Sequence, residues 1–295
     1  MHKEEKMSVV SAYAMINGTR INLSFSSGNN WTGSGTAPLK SSWSQPNHMY
    51  TVTVYATDDA GNDDTYETTL KVVEKVAPVI TPSSPTTGST LTNNKPAIVW
   101  NVTDDDSGVN PDTIGITIDS GSKITGSAIQ KESITNGYKC TYTPASALGD
   151  GSHTIKFDAS DNDGNAATQK SISIKIDTVP PTLNVTSPSE NLVTNSKNLT
   201  VSGTTNDATS SPVILKVNDT PVTVQENGSW TTQITLSEGE NTITIVATDS
   251  AGKSTTVTRH VTLDTGAPDI QSVTITPNPA DAGASITITA IIVDA

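Results

Sequence analysis

One twelve-residue phrase is written three times in this chain. It reads TVTVYATDDAGN at 51–62, TIKFDASDNDGN at 154–165 and TITIVATDSAGK at 242–253. Aligned on Ala56, Ala159 and Ala247, the copies lie 103 and 88 residues apart. Each copy alternates apolar and polar residues, turns at Gly61, Gly164 or Gly252, and runs into another Thr/Ser-rich strand. A repeat of this period, each unit closing on a hairpin, constrains the chain to tandem β-domains and excludes one large fold. Arrays of small β-domains reach, space and bind; few of them catalyse.

The punctuation agrees with the repeat. Val76-Ala77-Pro78, Val179-Pro180-Pro181 and Gly266-Ala267-Pro268 are three similar linkers, and proline stiffens each while withholding a ladder donor. They divide the sequence into a short N-terminal Ig-like β-domain (1–76), two full domains (77–177 and 178–264) and an incomplete C-terminal β-segment (265–295). In the first, Asn17-Gly18 between two alternating runs is a strong hairpin signal. About 70 residues is short for a sandwich, so a reduced version with strands missing is expected. The expected fold class is all-β, with tandem immunoglobulin-like β-sandwich domains in an elongated array.

Only 33% of the residues are hydrophobic and 4% aromatic, so each domain has a thin core. Trp100 and Trp230, one in each full domain, are expected to plug those cores. The single cysteine, Cys140, lies in an alternating strand and reads as a small buried hydrophobe; one cysteine excludes an intrachain disulfide. The net charge of −13 repels nucleic acid and anionic membrane surfaces and attracts divalent cations. No stretch approaches the roughly 20 apolar residues of a membrane span. The N-terminal stretch lacks a signal-peptide pattern. The expectation is therefore assembly without that route, or excision from a longer exported protein.

Residues 187–203 and 214–264 resemble the bacterial Ig-like domains typified by the glucodextranase B-domain group, over nearly the whole third unit. The second unit, through TDDDSGVNPDTIGITID (103–119) and ALGDGSHTIKFDASDNDGNAAT (147–168), is similar to another bacterial Ig-like type found in surface adhesins and in accessory modules of exported enzymes. The N-terminal unit and TPNPADAG (276–283) resemble Ig-like proteins encoded among phage and prophage tail genes. The resemblance implies a non-enzymatic structural or adhesion protein: a tail-associated virion component on the phage surface, displaying its domains for host contact or spacing. The alternative is a cell-surface adhesin, or an accessory module of an exported carbohydrate-active enzyme. Fold follows from such likeness more firmly than function does.

Catalysis has little support. His2, His48, His153 and His260 form no HExxH, and neither a nucleophile elbow nor a phosphate loop is present. The acidic residues sit in turn phrases beside Gly and Asn, where turn chemistry alone accounts for Asp58, Asp161 and Asp249. The functional reading is calcium between domains, since Ca²⁺ takes six to eight oxygens, several of them carboxylate. In an immunoglobulin sandwich two loops gather at the end where the chain enters. In the second unit they carry Asp104, Asp106, Asp161 and Asp163 and face Glu74; in the third they carry Asp207 and Asp249 and face Asp177. The first of these joints is the richer.

Trp31, Trp43, His48 and Tyr50, among Asn and Ser, form a candidate carbohydrate contact, as host-surface glycans would need aromatic faces and polar partners. The other reading is that they plug a small core. The last strand, Ile286–Val293, places Ile286, Ile288, Ala290 and Ile292 on one face, and Thr287, Thr289, Ile291 and Val293 on the other. Two strands are too few for a stable sheet. The segment is expected to pair with other virion or surface proteins by strand addition, with a homo-oligomer as another partner class.

Overall fold

The computed structural model describes residues 8–294 and divides into two compact units between Ile176 and Asp177. Nearly everything between turns is strand; the helical pieces are single 3₁₀ turns at Ser42–Ser44, Pro46–His48 and Gly126–Ala128. Among the described residues no helix is long and apolar enough to cross a membrane.

The first unit opens with one antiparallel sheet. Its strands are β1 (Val9–Ile16), β2 (Thr19–Ser27), β3 (Asn30–Thr32), β4 (Tyr50–Asp58) and β5 (Asp63–Leu70), in spatial order β3-β2-β1-β4-β5. The Asn17-Gly18 signal is a tight hairpin: both residues have positive φ, and Ile16 pairs with Thr19. A second layer does not form among the described residues, so this is a single sheet and not the reduced sandwich expected of 1–76 (residues 1–7 lie outside the described part). Its sequence explains why. The buried apolar residues here are only Ala12, Ala14 and Tyr50. On the sheet Tyr13 stacks on Tyr55 at 4.8 Å, with Arg20 3.7 Å above the Tyr13 ring.

Residues 79–176 form a two-sheet sandwich. Its strands are β6 (Val79–Ser84), β7 (Thr90–Leu91), β8 (Ile98–Thr103), β9 (Val109–Ile118), β10 (Gln130–Ile134), β11 (Gly137–Tyr142), β12 (Gly151–Asp161) and β13 (Lys170–Ile176). One sheet runs β10-β11-β8-β6, the other β7-β13-β12-β9. The chain bulges at Pro82–Ser84, leaves the first sheet, and joins the second as β7, parallel to β13. Strict alternation in β8 and β12 sends Ile98, Trp100, Val102, Ile155 and Phe157 inward, all fully buried. Trp100 meets Phe157 at 5.1 Å and Cys140 across the ladder, so both the tryptophan and the cysteine are core residues. Burial pushes the Cys140 thiol up to about 11.

One pair on this sandwich gives a pH test. His153 offers Nδ1 to Asp119 Oδ2 at 2.8 Å and Nε2 to the Gly149 carbonyl at 2.7 Å. Burial works against a charged ring, but the carbonyl and the carboxylate outweigh it and raise the His153 pKa. The pair's stabilisation is therefore fully present below the ordinary histidine value and is lost as pH rises through the raised one. In a proton NMR titration His153 should titrate above the ordinary value. Asp119→Asn should move the midpoint down; asparagine tolerates the φ of +52° at this position. An unchanged midpoint in the variant would exclude the pair as the cause.

The second unit repeats the sandwich. Its strands are β14 (Thr182–Ser187), β15 (Leu192–Thr194), β16 (Asn198–Asn206), β17 (Ile214–Val217), β18 (Thr220–Val222), β19 (Ser229–Thr235), β20 (Gly239–Thr248) and β21 (Ser254–Leu263). The sheets run β14-β16-β19 and β15-β21-β20-β17-β18, again with a bulge (Val185–Ser187) and a parallel pairing of β15 with β21. Trp230, Val201, Leu215, Ile243, Ile245 and Val261 fill the core. Beyond it β22 (Asp269–Thr276) and β23 (Thr287–Val293) pair only with each other, every residue exposed.

Candidate functional site

The thrice-written phrase makes the same turn three times. In each copy the Asp amide donates to the carbonyl four residues on: Asp58 to Asn62 at 3.0 Å, Asp161 to Asn165 at 3.1 Å, Asp249 to Lys253 at 3.0 Å. The same Asp receives that residue's amide on Oδ1, at 2.8 Å in all three copies. The glycines sit at φ of +84°, +95° and +88°, where a side chain is strained. Turn chemistry thus uses one carboxylate oxygen per copy.

The copies differ at the last position. Asn62 and Asn165 also reach back with their side-chain amides, at 2.9 and 2.7 Å, and close Oδ2 of Asp58 and Asp161. The third copy has Lys253 there and no side-chain amide to offer. Oδ2 of Asp249 is buried and meets no partner.

That oxygen lies in a cluster. Asp177, Asp207 and Asp249, all of the second unit and all buried, each place a carboxylate oxygen within 4.8 Å of the others. Their other contacts hold them there: Asp177 Oδ1 accepts from the Val179 amide at 3.3 Å, and Asp207 Oδ1 accepts from the Thr209 amide at 2.7 Å and from the Ser210 amide. Asp177 Oδ2, like Asp249 Oδ2, is buried without a partner. Two buried carboxylate oxygens without a hydrogen-bond partner, beside a third carboxylate, form a donor set that could hold a metal ion.

The first unit holds a similar trio, Glu74, Asp104 and Asp161, also within 4.8 Å. It is differently resolved. Asp104 Oδ1 accepts from the Asp106 and Gly108 amides at 3.1 and 2.8 Å, and Glu74 Oε1 accepts from the Ser107 amide at 2.7 Å. Burial, with the charges of Asp104 and Asp106 adding to it, raises the Glu74 pKa. Asp106 and Asp163 stand outside the trio. Asp106 Oδ1 accepts from the Ser41 amide at 2.9 Å, and Asp163 Oδ2 accepts from Ser41 Oγ at 2.6 Å and the Glu74 amide at 3.0 Å. Ser41 thus joins the N-terminal sheet's loop to the following sandwich. Nothing in the sequence marks it, because its partners lie 65 and 122 residues away. Both groups accept protein amides, but among the described residues only the poorer one holds buried carboxylate oxygens without a hydrogen-bond partner.

The four aromatics are divided. Trp43 stacks on His48 at 4.1 Å, and Tyr50 is buried with its hydroxyl donating to the Lys40 carbonyl at 3.2 Å. Trp31 packs edge-on against Phe25 at 6.0 Å. Tyr50 therefore acts as core, Trp31 as the cross-strand partner of Phe25, and Trp43–His48 as a separate stacked pair.

Comparison with known proteins bears on two stretches. Residues 85–178 match the model of a bacterial Ig-like domain, and residues 181–265 match that of glucodextranase domain B. Bacillopeptidase F of Bacillus subtilis (strain 168) is 33% identical over 116 residues, which is 39% of this chain and 8% of that protein. The chain thus aligns with only a small part of that relative. Among solved structures, the fibronectin(III)-like modules of Clostridium thermocellum CbhA align over 63% of this chain and 94% of theirs (18% identity, TM-score 0.37). The titin domains I67–I69 align over 88% and 89% (12% identity, TM-score 0.46). Immunoglobulin-like sandwiches of this bacterial kind are typical of extracellular or surface proteins and of accessory modules.

Proposed function

Starting from two bacterial immunoglobulin-like domains in tandem, we propose that this chain is a non-catalytic spacing and display segment of a surface or exported protein, with one sandwich pinned by a divalent cation, calcium by its oxygen-only donors. The observation that carries the cation is the pair of buried, unpartnered oxygens on Asp177 and Asp249. Calcium accepts several carboxylates and completes its shell with carbonyls and water. Charges about 4 Å apart repel by roughly 4 kcal/mol at an effective dielectric of about 20. A cation would turn that repulsion into a clamp between the first residues of the second unit and its two acidic loops.

Calorimetry tests this. At calcium about 100-fold above its Kd, binding to the folded state alone stabilises by about 2.7 kcal/mol, on the order of 10 °C for a domain this size. Asp249→Asn keeps the Oδ1 acceptor of the turn and adds a donor toward the other two carboxylates. It should raise the melting temperature in EDTA and abolish the calcium response. Asp58→Asn, in the same turn without the trio, should leave the response intact. No calcium shift at millimolar concentration would leave these aspartates as turn residues.

The similarity to Bacillopeptidase F, a peptidase by name, supports attachment to an exported enzyme or surface protein. A phage tail-associated virion component is the second reading. It draws on the N-terminal sheet and the TPNPADAG stretch, to which neither family match extends. Mass spectrometry of purified virions against cell-surface and culture-supernatant fractions separates the two. Host glycans remain the proposed contact for the Trp43–His48 pair.

A further inference from the structure

Two acidic positions recur around each of the three proline linkers with fixed spacing. Four residues before Pro78, Pro181 and Pro268 stand Glu74, Asp177 and Asp264; 26 residues after them stand Asp104, Asp207 and Asp294. The backbone register repeats with the sequence. The residue after the proline pairs with the residue before the second acid in all three places: Val79 with Thr103, Thr182 with Asn206, Asp269 with Val293. A bulge follows within a few residues each time. The pair β22–β23 therefore corresponds strand for strand to β6–β8 and β14–β16.

What differs is the cover. Counted back from the second acid, Ile288, Ala290 and Ile292 stand where Ile98, Trp100 and Val102 stand in the first sandwich, and those three are wholly buried. Ile288 and Ile292 are 62% and 58% exposed. The far edge of β8 is taken by β11 and that of β16 by β19, both antiparallel, whereas β23 has β22 alone.

We infer that residues 264–294 are the opening hairpin of another sandwich of the same kind, and that Asp264 and Asp294 are two thirds of its carboxylate trio. The occupant of the bare face and edge is the complementary part of such a sandwich, of the kind that β9–β13 and β17–β21 supply in the two complete copies. It brings an antiparallel strand onto β23, a second sheet over Ile288 and Ile292, and a turn aspartate equivalent to Asp161 or Asp249. The cation part rests on the reading given under Proposed function; the hairpin part does not.

The test extends the full chain. Residues 105–176 in one chimera, and 208–263 in another, are joined after Asp294, and amide exchange of 269–293 is followed in EDTA. In at least one chimera these amides should slow by about 100-fold or more relative to the parent, as strands joining a cooperative unit do. Unchanged exchange in both overturns the assignment. So does concentration-dependent protection in the parent itself, which would make a second copy the occupant, or protection conferred by an unrelated sheet protein. Calcium titration then reads the trio: the 208–263 chimera, whose turn carries the unclosed Asp249, should bind one ion more than the parent, the 105–176 chimera, whose Asp161 is closed by Asn165, should not, and Asp264→Asn in the first should remove that ion while leaving the protection. Protection of the 208–263 chimera without the extra ion overturns the carboxylate part alone. A parent that binds no calcium counts against the cation reading, and the exchange result still decides the hairpin.

Discussion

Replacing Trp100 by alanine should cost the 79–176 sandwich about 3–5 kcal/mol. Domains of this size hold only about 5–15 kcal/mol in total, so the variant should be close to unfolded at room temperature. The reason is geometric. Trp100 is wholly buried, lies between Pro82 and Cys140 in its sheet, and tilts against Phe157 of the other sheet. With so few large side chains in the chain, nothing nearby can swell to fill the space. Trp100→Phe should cost much less, because the indole N–H meets no acceptor and its loss leaves no polar partner stranded. Urea denaturation measures both, and the second unit's transition should shift by less than about 0.5 kcal/mol. An alanine cost below about 1 kcal/mol would mean that the two sheets are not packed around this ring.

Gly203→Ala should be comparably damaging to the second unit. Gly203 faces Trp230 across the β16–β19 ladder. A Cβ there would lie 2.1 Å from the Asn184 carbonyl oxygen and 2.7 Å from an atom of the Trp230 ring. The carbonyl belongs to the neighbouring strand and cannot swing away, so the sheet itself must move, costing about 3 kcal/mol or more. Gly149→Ala is the control: its Cβ meets nothing within 4 Å, and its effect should stay within about 0.5 kcal/mol. Equal melting temperatures for the two variants would refute the close approach.

Much of this was legible because β-structure writes itself in short-range code. The alternation of IVWNV and TITIVAT fixed which side chains point inward, and the proline linkers marked where each sandwich starts. Asp177, Asp207 and Asp249 could be placed together because an immunoglobulin topology gathers two loops at the end where its chain arrives. Three things lay outside that code. A hairpin signal names partners, not layers, so Asn17-Gly18 gave a correct pairing while the absent second sheet went unseen. Ser41 met Asp106 and Asp163 only through tertiary folding. Trp31, Trp43, His48 and Tyr50 were neighbours in composition but were divided by the backbone, with Tyr50 turned into the interior. The open state of the Asp249 oxygen did carry a signal, Lys253 where the other copies have asparagine, but its meaning needs the turn geometry.

That last substitution has a consequence for how such arrays change over generations. The turn survives whichever residue ends it, since its backbone bonds are the same in all three copies. The residue there decides whether the second carboxylate oxygen is closed by its own neighbour, as in the first two copies, or left without a hydrogen-bond partner, as in the third. On the cation reading proposed above, a lineage can convert a self-sufficient repeat into one that answers to its surroundings, and back again, by changing a position whose own side chain need not be a ligand.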